Sequence, residues 1–304
     1  MISVVYVSNR GAYSMINSPW KEMSQYTLLE QSLTAQTFKD FELVVVDAQN
    51  PLPRPELELL EQQVTYLRPR ETPWSKMGAF APSSARNTGI AAAQGDLVFG
   101  LDDCSSFAPD LLQHAATSWQ SGKCLVPRCV GDNGMNLCVH KGTRRGGVLF
   151  FPRKLAVDAG MYEERFDGSP ALEDWEFSER LARLGAVWHD TDDTVVLHAH
   201  RPHSGKPSTV DGAAGYHKCP YCVFHLVTGQ DRANRPWTRE QLAAFEADQC
   251  PLMQHENCIA QTVVYQRAPT KQVYGCAWTV RPSAEDLHIM QTHESQTWIG
   301  DSNA

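Results

Sequence analysis

Two adjacent carboxylates, Asp102 and Asp103, directly follow the apolar segment 97–101. We predict this segment to be a buried strand, because a short apolar run bounded by polar residues is typical of one. Hard divalent cations prefer oxygen ligands, and α/β sheets bind ligands at the carboxyl ends of their strands. Paired carboxylates at a strand end are therefore suited to hold a divalent metal and a phosphate, although a solvated turn would explain the same residues.

Strands and helices alternate along the first hundred residues. Apolar and β-branched residues predict strands at 2–7 and 41–47, and Tyr26, Leu29 and Leu33 recur at the spacing of an amphipathic helix. This alternation predicts a parallel sheet with right-handed crossovers. One edge of that sheet should carry the polar strand ends, which are Ser8 with Asn9, Asp47, and Asp102 with Asp103.

A short helix is predicted just before the strand that ends in the two carboxylates. It covers residues 84–93 and carries Arg86 and Asn87 near its start. We expect it to stop at Gly95, because glycine commonly follows the last helical turn.

Five segments of the chain resemble motifs of the family 2 glycosyltransferases, in the family's order and at ordinary spacing. They are residues 32–47, 85–90 with 101–103, 146–153, 166–168 with 173–176, and 196–200. The resemblance covers residues 1–203 and implies a GT-A fold, which is an α/β architecture with a mostly parallel, Rossmann-like sheet and flanking helices. Residues 1–104 would form the nucleotide-binding half, and residues 105–203 the acceptor-binding half.

The resemblance also implies an activity. It is the inverting transfer of a sugar from a nucleotide-diphospho-sugar, with UDP as the expected nucleotide, to an acceptor hydroxyl. Asp47 would hydrogen-bond the base or ribose, and Arg86 would pair with phosphate or with the neighbouring aspartates. The implied nucleotide-sugar-binding residues are Ser8, Asn9, Arg10, Asp47, Arg86, Asn87 and Asp102. The implied acceptor-binding residues are Gly147 and Trp175, although Trp175 could equally be a core residue.

The implied donor metal is Mn²⁺ or Mg²⁺, bound by Asp103 and bridging the diphosphate. It would act as a Lewis acid that offsets charge on the leaving nucleoside diphosphate. The chain departs from the family here, because the usual Asp-x-Asp spacing would place either Leu101 or Cys104 at one of the two positions. The aspartate that meets the metal therefore stays open. A late histidine would complete the shell, and the candidates are His198, which matches the family pattern best, His200 and His203.

A helix is predicted over residues 172–184, ending before Gly185. Its predicted buried face is Phe177, Leu181 and Leu184. Glu173 and Asp174 occupy its first turn, where backbone N–H groups and the helix dipole favour an ionised carboxylate. Such a carboxylate can accept the acceptor's proton as the hydroxyl oxygen attacks the anomeric carbon. Asp174 is thus the predicted general base with Glu173 beside it, although both could be ordinary helix-start acids.

Composition narrows the range of partners. The 27 basic and 35 acidic residues give a net charge of −8, so a global attraction to nucleic acid or anionic lipid is not indicated. No apolar run of ~18 residues and no charged-then-apolar leader is present, and we expect a soluble, cytoplasmic protein without a membrane partner. Lys141, Arg144 and Arg145 are either a solvated loop or a basic patch facing an anionic acceptor, such as a modified nucleic acid.

We predict that residues 204–304 form a C-terminal appendage that contains cysteines and histidines. Its four candidate zinc ligands are Cys219, Cys222, Cys250 and Cys258. Four thiolates can form a tetrahedral structural Zn²⁺ site, although seven residues separate the second pair, which is looser than usual. Reduced, unligated thiols are the alternative, because disulfides are not expected in an unexported chain.

Two other functions fit parts of the pattern. A nucleotidyltransferase on a similar sheet would need a Gly-rich, basic phosphate loop after its first strand, and residues 8–11 are a poor version of one. A catalytically inactive sugar- or protein-binding module is favoured only by the irregular Cys104. The sequence does not reveal the sugar or the oligomeric state, and the acceptor stays open among glycan, protein, small molecule and modified nucleic acid.

Overall fold

The structure is a computed structural model. It describes residues 1–8, 24–48, 52–72, 81–120, 122–131, 134, 148–167 and 172–198, and the backbone of 264–267 and 270–273. Several residues singled out in the sequence lie outside these ranges. They are Asn9, Arg10, Lys141, Arg144, Arg145, Gly147, His200, His203, Cys219, Cys222, Cys250 and Cys258. Their proposed roles, including the zinc site, stay predictions.

Most of the described chain forms one α/β unit around a sheet of eight strands. The strands are β1 (Ile2–Ser8), β2 (Phe41–Asp47), β3 (Val64–Leu67), β4 (Leu97–Asp102), β5 (Ser105–Phe107), β6 (Lys123–Gly131), β7 (Val148–Pro152) and β8 (Val187–Leu197). The helices are α1 (Gln25–Thr34), α2 (Pro82–Ala92), α3 (Leu111–Ser118), α4 (Arg153–Asp158) and α5 (Glu173–Arg183). Short 3-10 turns cover Pro55–Leu57 and Glu164–Phe166.

Contacts divide the chain into two compact units. The first comprises residues 1–70, 84–161 and 174–205. The second comprises residues 71–83, 162–173 and 206–304. The second unit includes the antiparallel hairpin of β9 (Val264–Arg267) and β10 (Thr270–Val273). The predicted boundary after residue 203 stays a prediction. No helix in the described part of the chain combines the length and apolar character needed to cross a membrane.

The sheet has the strand order β3-β2-β1-β4-β7-β6-β8-β5. Strands β1 to β4 pair in parallel, which confirms the predicted parallel arrangement of the first half. The second half is mixed, because β7 runs antiparallel to β4 and β6, and β5 runs antiparallel to β8. The whole sheet is thus less parallel than predicted. Every residue of β2 is buried, as expected of a parallel strand covered on both faces.

Helix α2 lies against the sheet because Gly89 has no side chain. A Cβ at Gly89 would overlap Val5 Cγ1 of β1 and would lie 3.3 Å from Val46 Cγ2 of β2. Valine is branched at Cβ and has little rotamer freedom, so neither side chain could easily move aside. The close contact fixes α2 over the centre of the parallel strands.

Gly95 serves a purpose that differs from the predicted one. Helix α2 ends at Ala92, so Gly95 is not its terminating residue. A Cβ at Gly95 would lie 2.8 Å from Ser3 Oγ and 2.9 Å from Met1 O, and the Gly95 amide donates to Ser3 Oγ at 2.7 Å. The glycine is needed because the chain enters β4 directly against the start of β1.

The buried face of α5 is also smaller than predicted. Phe177 and Leu181 are fully buried, whereas Leu184 is 50% exposed. Leu184 lies beyond the last helical residue, Arg183, and the chain turns at Gly185 with a φ of +91°. It therefore leaves the helical face that the spacing assigned to it.

Replacing Gly89 by alanine should lower the free energy of unfolding by about 1–3 kcal/mol, the usual cost of overpacking. The loss would occur even though alanine favours a helix over glycine by about 1 kcal/mol. Urea denaturation followed by circular dichroism measures it. Adding Val5→Ala should make the two changes non-additive by at least about 0.5 kcal/mol. The control Ala91→Ser, at an exposed position of α2, should change stability by less than about 0.5 kcal/mol. Purely additive effects would contradict the contact.

A histidine between two carboxylates joins α3 to β8. His114 Nδ1 lies 2.6 Å from Asp193 Oδ1, and His114 Nε2 lies 3.5 Å from Asp110 Oδ2. The hydrogen bond and the charge of Asp193, with a smaller effect of Asp110, raise the pKa of His114. The protonated imidazole can donate from both nitrogens, so it links the two elements when charged.

A raised folded-state pKa makes this link dependent on pH. The stabilisation is fully present below the unfolded pKa of about 6.5 and is lost as pH rises through the higher folded pKa. His114→Gln should therefore lower Tm relative to the unsubstituted chain at pH about 5.5, and the difference should vanish at pH about 9. His189→Gln, at an exposed site on β8, is the matched control. An equal Tm difference at both pH values would refute the link.

Candidate active site

Three polar strand ends lie side by side at the carboxyl edge of the parallel strands. In the sheet register Ser8 pairs with Asp47 on one side, and Val7 pairs with Asp102 on the other. The predicted grouping is therefore confirmed as geometry for Ser8, Asp47, Asp102 and Asp103. Their ligand-binding roles stay predictions.

The first carboxylate, Asp102, is paired with a cation from the helix that crosses the sheet. Arg86 Nη2 of α2 lies 2.9 Å from Asp102 Oδ1, and the side chains are 13% and 39% exposed. Of the two partners expected for Arg86, phosphate or an aspartate, the structure has the aspartate. A guanidinium beside one of two adjacent carboxylates offsets half of their combined negative charge.

The second carboxylate, Asp103, lies in a tight turn between β4 and β5. Ser8 Oγ of β1 donates to Asp103 Oδ2 at 3.3 Å. Ser105 Oγ donates to the carbonyl of Asp102 at 2.7 Å, and Cys104 has a left-handed backbone with φ of +59°. Cys104 is buried, so both carboxylates of the motif, but not the cysteine, are partly exposed at the edge.

His198 is brought to this turn by strand pairing. Strand β5 pairs with the end of β8, so Ser105 lies opposite Leu197, and the His198 amide donates to Cys104 O at 3.0 Å. The imidazole is buried, and its Nε2 lies 2.7 Å from Ser106 Oγ across 92 residues of sequence. Metal-bound histidines are commonly oriented by such a hydrogen bond on the ring. His198 as a metal ligand stays a prediction.

Asp47, the predicted base- or ribose-binding residue, is fully buried. The Tyr26 hydroxyl of α1 donates a hydrogen bond to Asp47 Oδ2, and Arg68 Nη1 donates to the Asp47 carbonyl at 2.8 Å. Burial, followed by the charge of Asp47, raises the pKa of Tyr26 well above its usual value. The tyrosine therefore stays protonated and remains the donor.

Sequence reasoning missed Tyr26 as part of this site, because helical spacing assigned it to the apolar face of α1. It is indeed buried there, yet its hydroxyl reaches β2. The guanidinium of Arg54 lies 4.5 Å from the centre of the Tyr26 ring and pairs with Glu56 at 2.8 Å. Glu56 in turn accepts a hydrogen bond from Ser24. No signal in the sequence links the start of α1 to the 3-10 turn at Pro55–Leu57, because the two elements are separated along the chain by β2.

Asn87 lies on α2 one residue beyond Arg86 and is buried.

Glu173 and Asp174 are the first two residues of α5, in agreement with the predicted helix start. Asp174 Oδ1 accepts a hydrogen bond from the Trp175 amide at 2.7 Å, and Trp175 Nε1 donates to Glu179 at 3.3 Å. The Asp174 carboxylate is therefore held by backbone N–H at the helix start. The catalytic and acceptor-binding roles of these residues stay predictions.

Among the described residues, the group of three ligands close enough to share one ion is Asp110, His114 and Asp193. Asp193 lies on β8 five residues before His198, which directly follows the strand, and five residues span about 17 Å of extended chain. This group is therefore distinct from the Asp102–Asp103 turn. His114 already has a carboxylate at each ring nitrogen, which an imidazolium explains without a metal.

Comparison with known proteins identifies the domain. Residues 28–168 match the family model described as glycosyl transferase family 2. No curated protein sequence matches the chain.

Solved structures of S. aureus TarS resemble the fold. TarS 1–349 in complex with UDP aligns with a TM-score of 0.51 and 17% identity, covering 81% of this chain and 70% of that chain. TarS 1–349 in complex with UDP-GlcNAc aligns with a TM-score of 0.50 and 18% identity, covering 81% and 71%. A longer TarS structure gives 0.48 and 18%, and the match spans 81% of this chain but only 43% of that one.

The family match and the fold lead to the same assignment. The matched segment begins within α1 and contains β2, α2, β4 and the Asp102–Asp103 turn. Its strands carry the polar edge at which α/β proteins bind ligands. Residues 28–168, slightly less than half of the chain, therefore match the glycosyl transferase family 2.

Proposed function

We propose that the chain is an inverting glycosyltransferase that moves a sugar from a nucleotide-diphospho-sugar to an acceptor hydroxyl. The observation that carries the proposal is the convergence of Asp47, Asp102 and Asp103 at one sheet edge inside a glycosyl transferase family 2 domain. Carboxylates in this position suit both a nucleoside and a divalent cation that carries its diphosphate.

The proposed nucleotide is UDP. The support is that TarS structures of the same fold were solved with UDP and with UDP-GlcNAc. The proposed nucleoside contact is Asp47, and the proposed donor-binding set also includes Ser8, Arg86, Asn87 and Asp102. The proposed acceptor is a hydroxyl compound.

The residues at the turn fit a divalent cation. Asp102 is paired with Arg86, whereas Asp103 accepts a hydrogen bond from the neutral Ser8 hydroxyl, so we assign the cation to Asp103. His198, joined to the same turn through the Cys104 carbonyl, is the proposed second ligand. Cations such as Mg²⁺ often use one or two carboxylates and take their remaining ligands from water and substrate phosphates. When bound, the cation would offset the charge on the leaving diphosphate.

The proposed general base is Asp174. Its carboxylate accepts the Trp175 amide hydrogen bond at the positive end of α5, which favours the ionised form. In the proposed step the acceptor oxygen attacks the anomeric carbon while its proton passes to Asp174. The bond from the anomeric carbon to the diphosphate oxygen breaks, and its electron pair leaves with the nucleoside diphosphate. A single displacement inverts the anomeric centre.

Donor binding is tested by thermal stabilisation. UDP with Mn²⁺, at about 100 times its dissociation constant, should stabilise the protein by about 2.7 kcal/mol, and UDP should stabilise it more than GDP, TDP or CDP. Asp103→Asn should remove the Mn²⁺-dependent part of the shift. Asp158→Asn, which changes an exposed carboxylate paired with Lys154, is the control and should keep the full shift. No stabilisation by any of the four nucleotides would contradict the proposal.

Catalysis is tested separately from binding. Asp174→Asn keeps the size of the side chain but removes the basic carboxylate, so transfer from UDP-sugars should fall by at least about a hundredfold. Nucleotide binding should persist, because the change affects the transition state and not the donor site. Sugar-nucleotide hydrolysis and transfer to a panel of hydroxyl acceptors provide the activity readout. Unchanged turnover in Asp174→Asn would exclude this residue as the base.

A further inference from the structure

Two consecutive residues at the start of α1 reach the two carboxylates to which the proposed function assigns donor binding. Gln25 and Tyr26 are both buried. Gln25 is connected through Ser8 to Asp103, which directly follows β4. Tyr26 hydrogen-bonds directly to Asp47 at the end of β2. The helical spacing predicted Tyr26 to lie on the apolar face of the helix, and the sequence analysis did not single out Gln25.

The first connection is a chain of hydrogen bonds with one direction. Gln25 Nε2 donates to Ser8 Oγ at 2.7 Å, and Ser8 Oγ donates to Asp103 Oδ2 at 3.3 Å. The other end of the amide is also fixed, because the Cys104 thiol contacts Gln25 Oε1 at 3.8 Å. Gln25 thus orients a hydroxyl whose oxygen lies within hydrogen-bond distance of Asp103 Oδ2.

The second connection is direct. The Tyr26 hydroxyl donates to Asp47 Oδ2 and stays protonated, because burial and the nearby carboxylate raise the pKa of Tyr26. Its ring lies under the Arg54 guanidinium at 4.5 Å. Asp47 has no exposed surface, so a buried carboxylate there needs hydrogen-bond donors.

The start of α1 is itself anchored. Ser24 Oγ accepts the Thr27 amide hydrogen bond at 3.1 Å and donates to Glu56 Oε1 at 2.9 Å. Glu56 also pairs with Arg54. The helix end that carries Gln25 and Tyr26 is therefore held by the segment that follows β2, so the two contacts share one support.

We propose that Gln25 and Tyr26 are positioning residues with separate tasks, Gln25 for the cation-binding carboxylate through Ser8 and Tyr26 for the nucleoside-binding carboxylate. The inference rests on the proposed donor site and adds a division of labour to it. Residues that orient metal ligands commonly change metal affinity by 10- to 100-fold when they are lost. A hydrogen bond to a charged group is worth about 1.5–3 kcal/mol, which corresponds to a similar factor in affinity.

The test measures binding with two readouts on each variant. Titration calorimetry gives the UDP affinity at saturating Mn²⁺ and the selectivity for UDP over CDP. Electron paramagnetic resonance of free Mn²⁺ gives the cation affinity at saturating UDP. Gln25→Met should weaken Mn²⁺ binding about tenfold with little change in base selectivity. Tyr26→Phe should weaken UDP binding about tenfold and reduce selectivity over CDP, with little change in Mn²⁺ affinity.

Matched variants separate positioning from general destabilisation. Gln36→Met replaces a buried glutamine at the other end of α1 that bonds to backbone carbonyls. Tyr66→Phe removes a hydroxyl that contacts the Arg54 carbonyl at 3.5 Å, on β3. Both should leave the two affinities unchanged. Ser8→Ala breaks the Gln25 chain at its middle and should reproduce the cation defect if Gln25→Met does not fold.

The measured affinities separate failure of the proposed function from failure of the division of labour. If the unsubstituted chain binds neither UDP nor Mn²⁺, the proposed function and this inference both fail. If it binds both, but Gln25→Met and Tyr26→Phe match the control variants or show the same defect as each other, the division of labour fails and the donor site stands. Weaker Mn²⁺ binding in Gln25→Met alone, together with weaker UDP binding in Tyr26→Phe alone, supports the inference.

Discussion

The close packing of α2 on the parallel strands is the constraint on which the rest of the site depends. Gly89 lets the helix backbone approach Val5 and Val46 without a side chain between them. Arg86 lies three residues earlier, on nearly the same helical face, and reaches Asp102 at 2.9 Å. The depth at which α2 packs on the sheet therefore also sets the distance between the Arg86 guanidinium and the carboxylate edge. A larger residue at position 89 would change the helix packing and this distance together.

The sheet edge concentrates negative charge, and its neighbours compensate for this in two ways. Arg86 supplies a full charge to Asp102, which is partly exposed. Asp47 is buried and receives a neutral hydroxyl from Tyr26, so its negative charge is stabilised without being cancelled. Asp103, the proposed cation ligand, likewise receives a neutral hydroxyl, from Ser8, so no positively charged partner competes there with the proposed cation in the contacts described above.

The sequence predicted the parallel strands and the edge well, because β1, β2 and β4 are predominantly apolar runs that end in polar residues. It predicted neither β3, a short strand whose residues are only half-buried, nor the antiparallel pairings of the second half. The pairing of β7 with β4 depends on contacts between residues far apart in sequence. The role of Gly95 was predicted wrongly because a glycine after a helix suggests a cap. Here a residue without a side chain is needed because the β1 backbone lies directly against it.

The site residues divide in the same way. Strand-end carboxylates could be found because their position follows from local pattern, and His198 could be found because of a family resemblance. Tyr26 could not, because helical periodicity already explains its burial, and Gln25 could not, because it is a polar residue outside the apolar spacing of Tyr26, Leu29 and Leu33. The missing information was chemical: two polar side chains on a buried helical face cost stability unless partners satisfy them, and those partners are on β1 and β2. A polar residue where the pattern calls for an apolar one is thus a sign that a neighbouring strand end carries a group to be oriented.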